Sequence, residues 1–478
     1  MDYRNRNAKK HIKGEKEMRR INKTAAILML TAFIFATAMP AMAGGFAKIT
    51  DIAGGNGGGT NAASTIYFGN YWQSAVSGYT PTGTCSEPEA FNKNHYNKEG
   101  IKWRVLSNAD GKTLLLSDQG LYTEQFNNDE TAENANVWNT SKIRTTMNNT
   151  TATTFKSDGT VNAWGGFAGD AFSAAELAAI AETKHTAGGT ETGHNIESTD
   201  KLFLLSVEEA RNTAYGFENT ETEVPSATRK FSAAEMAQHA TIYGNYEAAL
   251  VEESSCCWRL RSPSTYDEEE GYQAYAVAYD GSINDKIPVN YGFLVALSAF
   301  NLNRDNVLFL SAATGGKSAV KLGGGFALED YNGANGWKLT LKDTNIPTPK
   351  ITNVETKDNK LQVTYSGVTT GKNMYLSALL YNETGELINY AKVAEKSEDT
   401  AEISLDGIEG KYKVRFFTEQ ANGDKQTDYA SELSEEYEIT AEKPKSSSGG
   451  GCNAGFGALA LLALAGLALR KRKSKFRR

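Results

Sequence analysis

Ile101-Lys102-Trp103-Arg104-Val105-Leu106-Ser107, then Asp110-Gly111, then Thr113-Leu114-Leu115-Leu116-Ser117, sets the architecture of the larger part of this chain. Ile101, Trp103 and Val105 alternate with Lys102 and Arg104, which is the period-two pattern of a strand with one buried face. Asp-Gly suits a two-residue hairpin turn, because both turn positions take positive φ. Thr113 to Ser117 is apolar on both faces, so the return strand is expected at the centre of a sheet.

Outward from this hairpin, short strands and short helices are interleaved. Thr65 to Gly69 reads as a strand, and Pro81 to Gly100 as a loop. Asn136 to Met147 carries Val137, Trp138, Ile143 and Met147 on a helical stripe, with Thr140 or Ser141 as its cap. Phe172-Ser173-Ala174-Ala175-Glu176-Leu177 is a capping box with a hydrophobic staple, and Phe231-Ser232-Ala233-Ala234-Glu235-Met236 repeats it. Asp200 to Ser206 is a buried strand that leads into a helix at Val207-Glu208-Glu209-Ala210. The segments 258–263, 275–283, 292–302 and 307–311 are further strands or apolar runs. This mixture predicts a compact α+β domain over 65–345, preceded by a flexible Gly-rich lead-in at 44–64. Pro347 and Pro349 then mark a change of character. Seven alternating segments lie at 350–355, 361–367, 374–382, 387–392, 400–405, 410–418 and 434–440, with turns such as Asn382-Glu383-Thr384-Gly385. They predict an all-β sandwich of the immunoglobulin or fibronectin-III type over 346–440.

Both ends of the chain read as targeting segments. Residues 1–23 hold nine Lys or Arg, an apolar run extends from Ala25 to Met39, and Pro40-Ala41-Met42-Ala43 follows. This is the pattern of a signal peptide over 1–43, cut after Ala43 by signal peptidase, with Met18 as an alternative start. At the other end, a polar linker and motif at 441–453 precede an apolar run at 454–469 and a basic tail at 470–478. The apolar run is expected to be a short transmembrane segment, with the tail on the cytoplasmic side. Gly449-Gly450-Gly451-Cys452-Asn453-Ala454-Gly455-Phe456-Gly457 resembles the Synergistes-type C-terminal sorting signal. That resemblance implies processing at Gly451 or Cys452 by a rhomboid-like sortase and transfer to an envelope lipid anchor. The protein is therefore expected at the cell surface or outer envelope.

Between these ends, residues 44–454 carry 34 basic and 54 acidic residues. A body this acidic repels nucleic acid, and none is expected as a partner. Cys85, Cys256 and Cys257 lie in the exported part, where disulfides form. Neighbouring cysteines rarely bond to each other, so a bridge from Cys85 to Cys256 or Cys257 is expected.

Several of the quoted segments, in their order, resemble the DUF6273 family of bacterial surface and secreted proteins over roughly 65–312. They are Ile101 to Leu106, Leu114 to Ser117, Trp138-Asn139 with Ile143-Arg144, Lys201 to Ser206, and Trp258-Arg259-Leu260-Arg261-Ser262-Pro263 with Asp280-Gly281. The family usually has a second Trp where this chain has Arg259, and Val-Arg-Pro-Ala where it has Phe293-Leu294-Val295-Ala296-Leu297. The resemblance carries no activity. Its short Trp-rich strands around two helices are similar to the C-type-lectin and formylglycine-generating-enzyme class.

No HExxH, Gly-x-Ser-x-Gly, P-loop or dinucleotide motif occurs. His185 and His194 are nine apart in a Gly-rich stretch and are expected in a solvated loop rather than on a metal. Asp267-Glu268-Glu269-Glu270 could hold Ca²⁺ weakly, but it lacks alternate-residue ligand spacing, so no cofactor is expected. The expected site is an aromatic and arginine cluster of Trp258, Arg259, Arg261, Tyr266 and Tyr272, which suits a glycan or peptide ligand. The expected function is a non-enzymatic binding or structural protein displayed at the surface. The alternative is an extracellular enzyme acting on glycans, which should present a cleft with convergent carboxylates.

Overall fold

The Asp110-Gly111 hairpin forms as its residues dictate, with φ of 48° at Asp110 and 73° at Gly111. It joins strands Tyr96–Ala109 and Lys112–Ser117, which pair antiparallel with Val105 opposite Leu115. The computed structural model of the chain describes residues 46–187, 196–327 and 335–441. Within them the hairpin lies in a sheet of 14 strands. The sheet runs through Leu202–Phe203, Ala299–Asn303, Lys112–Ser117, Tyr96–Ala109, Thr65–Ala75 and Trp337–Lys342. It continues through Asp428–Ala430, Gly410–Gln420, Met374–Tyr381 and Leu387–Ala394. Pairing is mixed: Thr65–Ala75 is antiparallel to Tyr96–Ala109 and parallel to Trp337–Lys342. Strands predominate and helices are few and short, so the fold is α+β.

Aromatic side chains fill the larger core. Trp103, Trp138, Trp258 and Trp337 are fully buried. Each indole N–H has an acceptor, on Phe68 O (2.7 Å), Asp200 Oδ2 (2.9 Å), Arg229 O (3.1 Å) and Ala63 O (2.9 Å) respectively. Burial of so large a side chain is favourable only when that one polar atom is satisfied.

The helix starts follow their caps. Ser141 caps Lys142–Asn148, and Ser173 with Glu176 forms the capping box of Ala174–Ala179. The second copy of that pattern differs. Ser232–Ala233 pairs as a short parallel strand with Gln119–Gly120, and the helix Glu235–His239 starts without a side-chain cap. The Glu235 carboxylate instead accepts from Ala75 N at 2.9 Å. Tertiary pairing therefore overrode a local signal.

The Gly-rich run expected as a flexible lead-in is bonded to the sheet. Gly55 N and Asn56 N donate to Leu106 O and Val105 O, and Gly57 N donates to Tyr215 O. A Cβ at Gly57 would sit 2.6 Å from Tyr215 O, so glycine permits the approach.

The seven segments expected after Pro349 are strands, and Asp428–Ala430 is an eighth. Lys350–Lys357, Lys360–Ser366 and Asp399–Ser404 form a separate three-stranded sheet. Its Leu361, Val363 and Ile403 share a core with Leu376, Leu380, Val414 and Phe416. At the parallel junction of Trp337–Lys342 with Asp428–Ala430 lies a buried set of charges. Lys317 Nζ is 2.9 Å from Asp428 Oδ2 and also pairs with Glu419, and Lys338 Nζ is 3.0 Å from Asp428 Oδ1.

The expected signal peptide, the processing points Ala43, Gly451 and Cys452, and the basic tail lie outside the described residues. Among the described residues no helix is long and apolar enough to cross a membrane, and the run 454–469 lies outside them.

Candidate functional site

A polar cleft of about 550 Å³ opens where three parts of the chain meet. The first is the hairpin tip with Asp110 and Lys112. The second is the strand Thr183–Ala187 with His185. The third is the helix Val207–Ala210 with Glu208 and Glu209, backed by Arg261 and Ser262 of the strand Trp258–Asp267. That volume suits a small organic ligand.

Local sequence explains each placement. Ser206 and Glu209 form a capping box, in which the Ser206 hydroxyl accepts from Glu209 N and Glu209 Oε2 accepts from Ser206 N at 2.9 Å. Ser262 Oγ accepts from Val207 N at 3.1 Å and ties the helix start to the neighbouring strand. Arg261 Nη1 donates to Leu204 O at 2.6 Å and pairs with Glu209. Burial alone would raise the Glu209 pKa, but the Arg261 guanidinium and the Ser206 N–H outweigh it and hold the carboxyl below its ordinary value. Glu209 is thus a fixed anion.

His185 is buried against Phe203, with ring centroids 4.1 Å apart, and the Arg261 guanidinium lies 5.7 Å from the same ring. Burial, reinforced by the Arg261 charge, pushes the imidazole down to about 4, so it is neutral at physiological pH. Its Nε2 and the Nε of Arg261 are both buried without a hydrogen-bond partner.

The imidazole has a measurable consequence. An unfolded histidine takes up its proton near 6.5, the folded one only near 4. Between these values the unfolded chain holds the extra proton. The contribution to stability is intact above about pH 6.5 and is lost as pH falls toward 4. Urea titrations at a series of pH values should show His185→Gln losing roughly 2–3 kcal/mol less than the parent over that window.

The expected cluster does not come together. Trp258 is core. Arg259 is fully buried, and its Nη2 donates to Pro288 O at 2.8 Å and Tyr291 O at 2.9 Å. Strand alternation sends Arg259 and Arg261 to the same side, but the register shift between Arg259 and Pro263 parts them. Arg261 alone reaches the cleft. Tyr266, 56% exposed, and Tyr272 pack against each other across a hairpin, 5.0 Å between centroids, and neither lines the cleft. Asp267 Oδ1 accepts from Glu269 N and Glu270 N, so that carboxylate is engaged in its own turn. Cys85, Cys256 and Cys257 are free thiols rather than a bridge. Cys256 is buried with its Sγ donating to Phe231 O at 3.2 Å. His194 lies outside the described residues, among which no three His, Cys, Asp or Glu are grouped to hold a metal.

Asp110, Glu208 and His185 gave no sign of a shared site in the sequence, since they are far apart in it and sit in ordinary turn, helix-start and loop contexts. The Ser206-x-x-Glu209 box was the one available signal, and it marks a helix start rather than a site.

No curated protein matches the chain. Solved structures that match include β-glucuronidase from Ruminococcus gnavus in complex with D-glucuronic acid, at 13% identity and a TM-score of 0.13, covering 35% of this chain and 22% of that one. The same enzyme with uronic isofagomine matches at 14% identity and a TM-score of 0.13, covering 36% and 29%. The chain thus spans less than a third of these proteins, and such values bring no residue or substrate to it. The solved structures matched are all of that one β-glucuronidase, which runs against the expectation of a non-enzymatic protein. The sequence model of the family described as "Domain of unknown function (DUF6273)" matches residues 110–302, the segment that supplies every residue lining the cleft except Ser107 and Ala109.

Proposed function

We propose that this protein is an extracellular enzyme acting on envelope or environmental glycans, with its reaction in the polar cleft. The observation that carries the reading is the arrival of three carboxyl groups, Asp110, Glu208 and Glu209, at one cleft beside a neutral buried imidazole. Glycoside cleavage needs one carboxyl to protonate the leaving oxygen and a second to activate water or attack the anomeric carbon. Glu209 is committed to Arg261, which leaves Glu208 and Asp110, both exposed to the cleft mouth. Glu208 is assigned as the proton donor and Asp110 as the second carboxylate.

The rest of the chain serves display. The shared core of the three-stranded sheet and the strands 374–420 supports a fibronectin-III-like sandwich as a spacer. The short strands around few helices support a lectin-like or formylglycine-generating-enzyme-like arrangement for the larger part. The basic, apolar and small-residue order at 1–43 supports export, and the Gly449-to-Gly457 motif supports sortase processing at Cys452 and a lipid anchor.

The test is reducing-end release from a panel of plant, mucin and peptidoglycan glycans. Release by the full chain that Glu208→Gln loses and Tyr266→Ala keeps is the expected result. Release from none of them, or equal release by Glu208→Gln, overturns the reading.

A further inference from the structure

We propose that the half-buried ring of Tyr215 is the platform on which the substrate sugar stacks, with a C–H face of a pyranose lying against it. This rests on the glycan reading above and names the residue and the sugar face that meet in the cleft.

Two observations carry it. First, of the three aromatic rings that line the cleft, two present almost no surface: Phe203 is 1% and His185 5% exposed. Tyr215 is half-buried, so among these its ring is the aromatic surface within a ligand's reach. Burial, and after it the Glu209 carboxylate, raise its phenol above the ordinary value against the opposing charge of Arg261. The tip of the ring thus lies within electrostatic reach of the Glu209–Arg261 pair, beside the helix start that carries Glu208. A tyrosine ring joins a rigid apolar face to a polar tip, which suits the C–H face and hydroxyl rim of a sugar.

Second, the ring is set in place at one end of the cleft floor. Ser107 pairs with Leu114, Ala109 with Lys112, and Leu114 with Asn301, so these five share one face of the sheet. The turn Thr213–Tyr215 packs on Tyr96–Ala109 at one end of that row, and Asn301 Nδ2 donates to Thr183 Oγ1 at 3.0 Å at the other. Glycines strap the turn to the sheet. Gly57 N donates to Tyr215 O at 2.7 Å, while Gly55 N donates to Leu106 O at 2.8 Å. Gly216 follows the turn with φ of 88°, and a Cβ there would collide with Gly55 O, so only glycine allows this approach. A ring placed before the ligand arrives loses little freedom on binding.

The experiment uses the full chain carrying Glu208→Gln, which spares the sugar, labelled with ring-¹³C tyrosine and titrated with methyl β-glucoside, methyl β-galactoside and cellobiose. Tyr215 is identified as the resonance missing from Tyr215→Phe. At least one of these sugars is expected to move it saturably and to leave the resonances of the exposed Tyr246 and Tyr266 in place. Tyr215→Leu stays apolar but loses the flat face, and in calorimetry it should weaken that sugar about tenfold. Tyr215→Phe should bind it as the tyrosine does. A Tyr215 resonance unmoved by all three sugars, or binding undiminished in Tyr215→Leu, overturns the inference. If Tyr215→Leu does not fold, the resonance titration alone decides. Stacking on Tyr215 without hydrolysis of any glycan by the chain with Glu208 intact would sink the enzymatic reading and leave this inference standing. Hydrolysis with the Tyr215 resonance unmoved would sink this inference alone.

Discussion

Lys317→Met should remove about 3–5 kcal/mol of stability, the loss typical of stripping one partner from a buried ion pair. Lys317, Lys338, Glu419 and Asp428 are all at most 2% exposed. Two ammonium groups face two carboxylates, so the set is neutral as a whole. Burial alone would lower the Lys317 pKa, but Asp428 and Glu419 outweigh it and hold the amine above its ordinary value. Its Nζ also lies 5.1 Å from the centroid of Phe309 and 5.2 Å from that of Tyr390. Methionine fills the volume but leaves one carboxylate charge uncompensated among apolar side chains. The measurement is a urea transition of the variant against Lys360→Met, which breaks the exposed pair with Glu402. The Lys317 variant should shift strongly and the Lys360 variant hardly at all. Because the junction binds the strands beyond Pro349 to the main sheet, the parent chain should unfold in one transition through residue 430.

Glu208→Gln should lower turnover about 10²–10⁴-fold, the range for loss of a general acid, with little change in KM. The amide matches the carboxyl in shape but cannot give up a proton to a leaving oxygen. Asp110→Asn should fall in the same range. The split between kcat and KM separates this role from substrate holding.

Much of the fold was legible because local chemistry and tertiary structure agreed. Asp110-Gly111 needed positive φ and found it, Ser141 and Ser173 capped the helices they precede, and the alternating segments after Pro349 became strands. Reading failed where long-range pairing competed. Ser232 carried the same cap signal as Ser173 but was drawn into a parallel bridge with Gln119, across more than a hundred residues. The glycines at 54, 55 and 57 look like a linker in sequence, yet Gly54 lies against the strand at Leu106, and Gly55 and Gly57 lie against the turn at Ala214 and Tyr215. The cleft was less legible still. Trp258-Arg259-Leu260-Arg261 reads as one cluster, but an irregular register sends Arg259 to backbone carbonyls near Pro288 and Arg261 to Glu209. His185, Asp110 and Glu208 meet only because the sheet brings a hairpin tip, a second hairpin and a helix start together, which no spacing along the chain records.

A crystal structure of Glu208→Gln with an oligosaccharide from the glycan it fails to cleave tests the central claim most directly. The account predicts a sugar ring in the cleft, with the scissile oxygen within hydrogen-bond distance of residue 208. An oligosaccharide seated on the exposed Tyr246 or Tyr266, with the cleft holding only solvent, would contradict it.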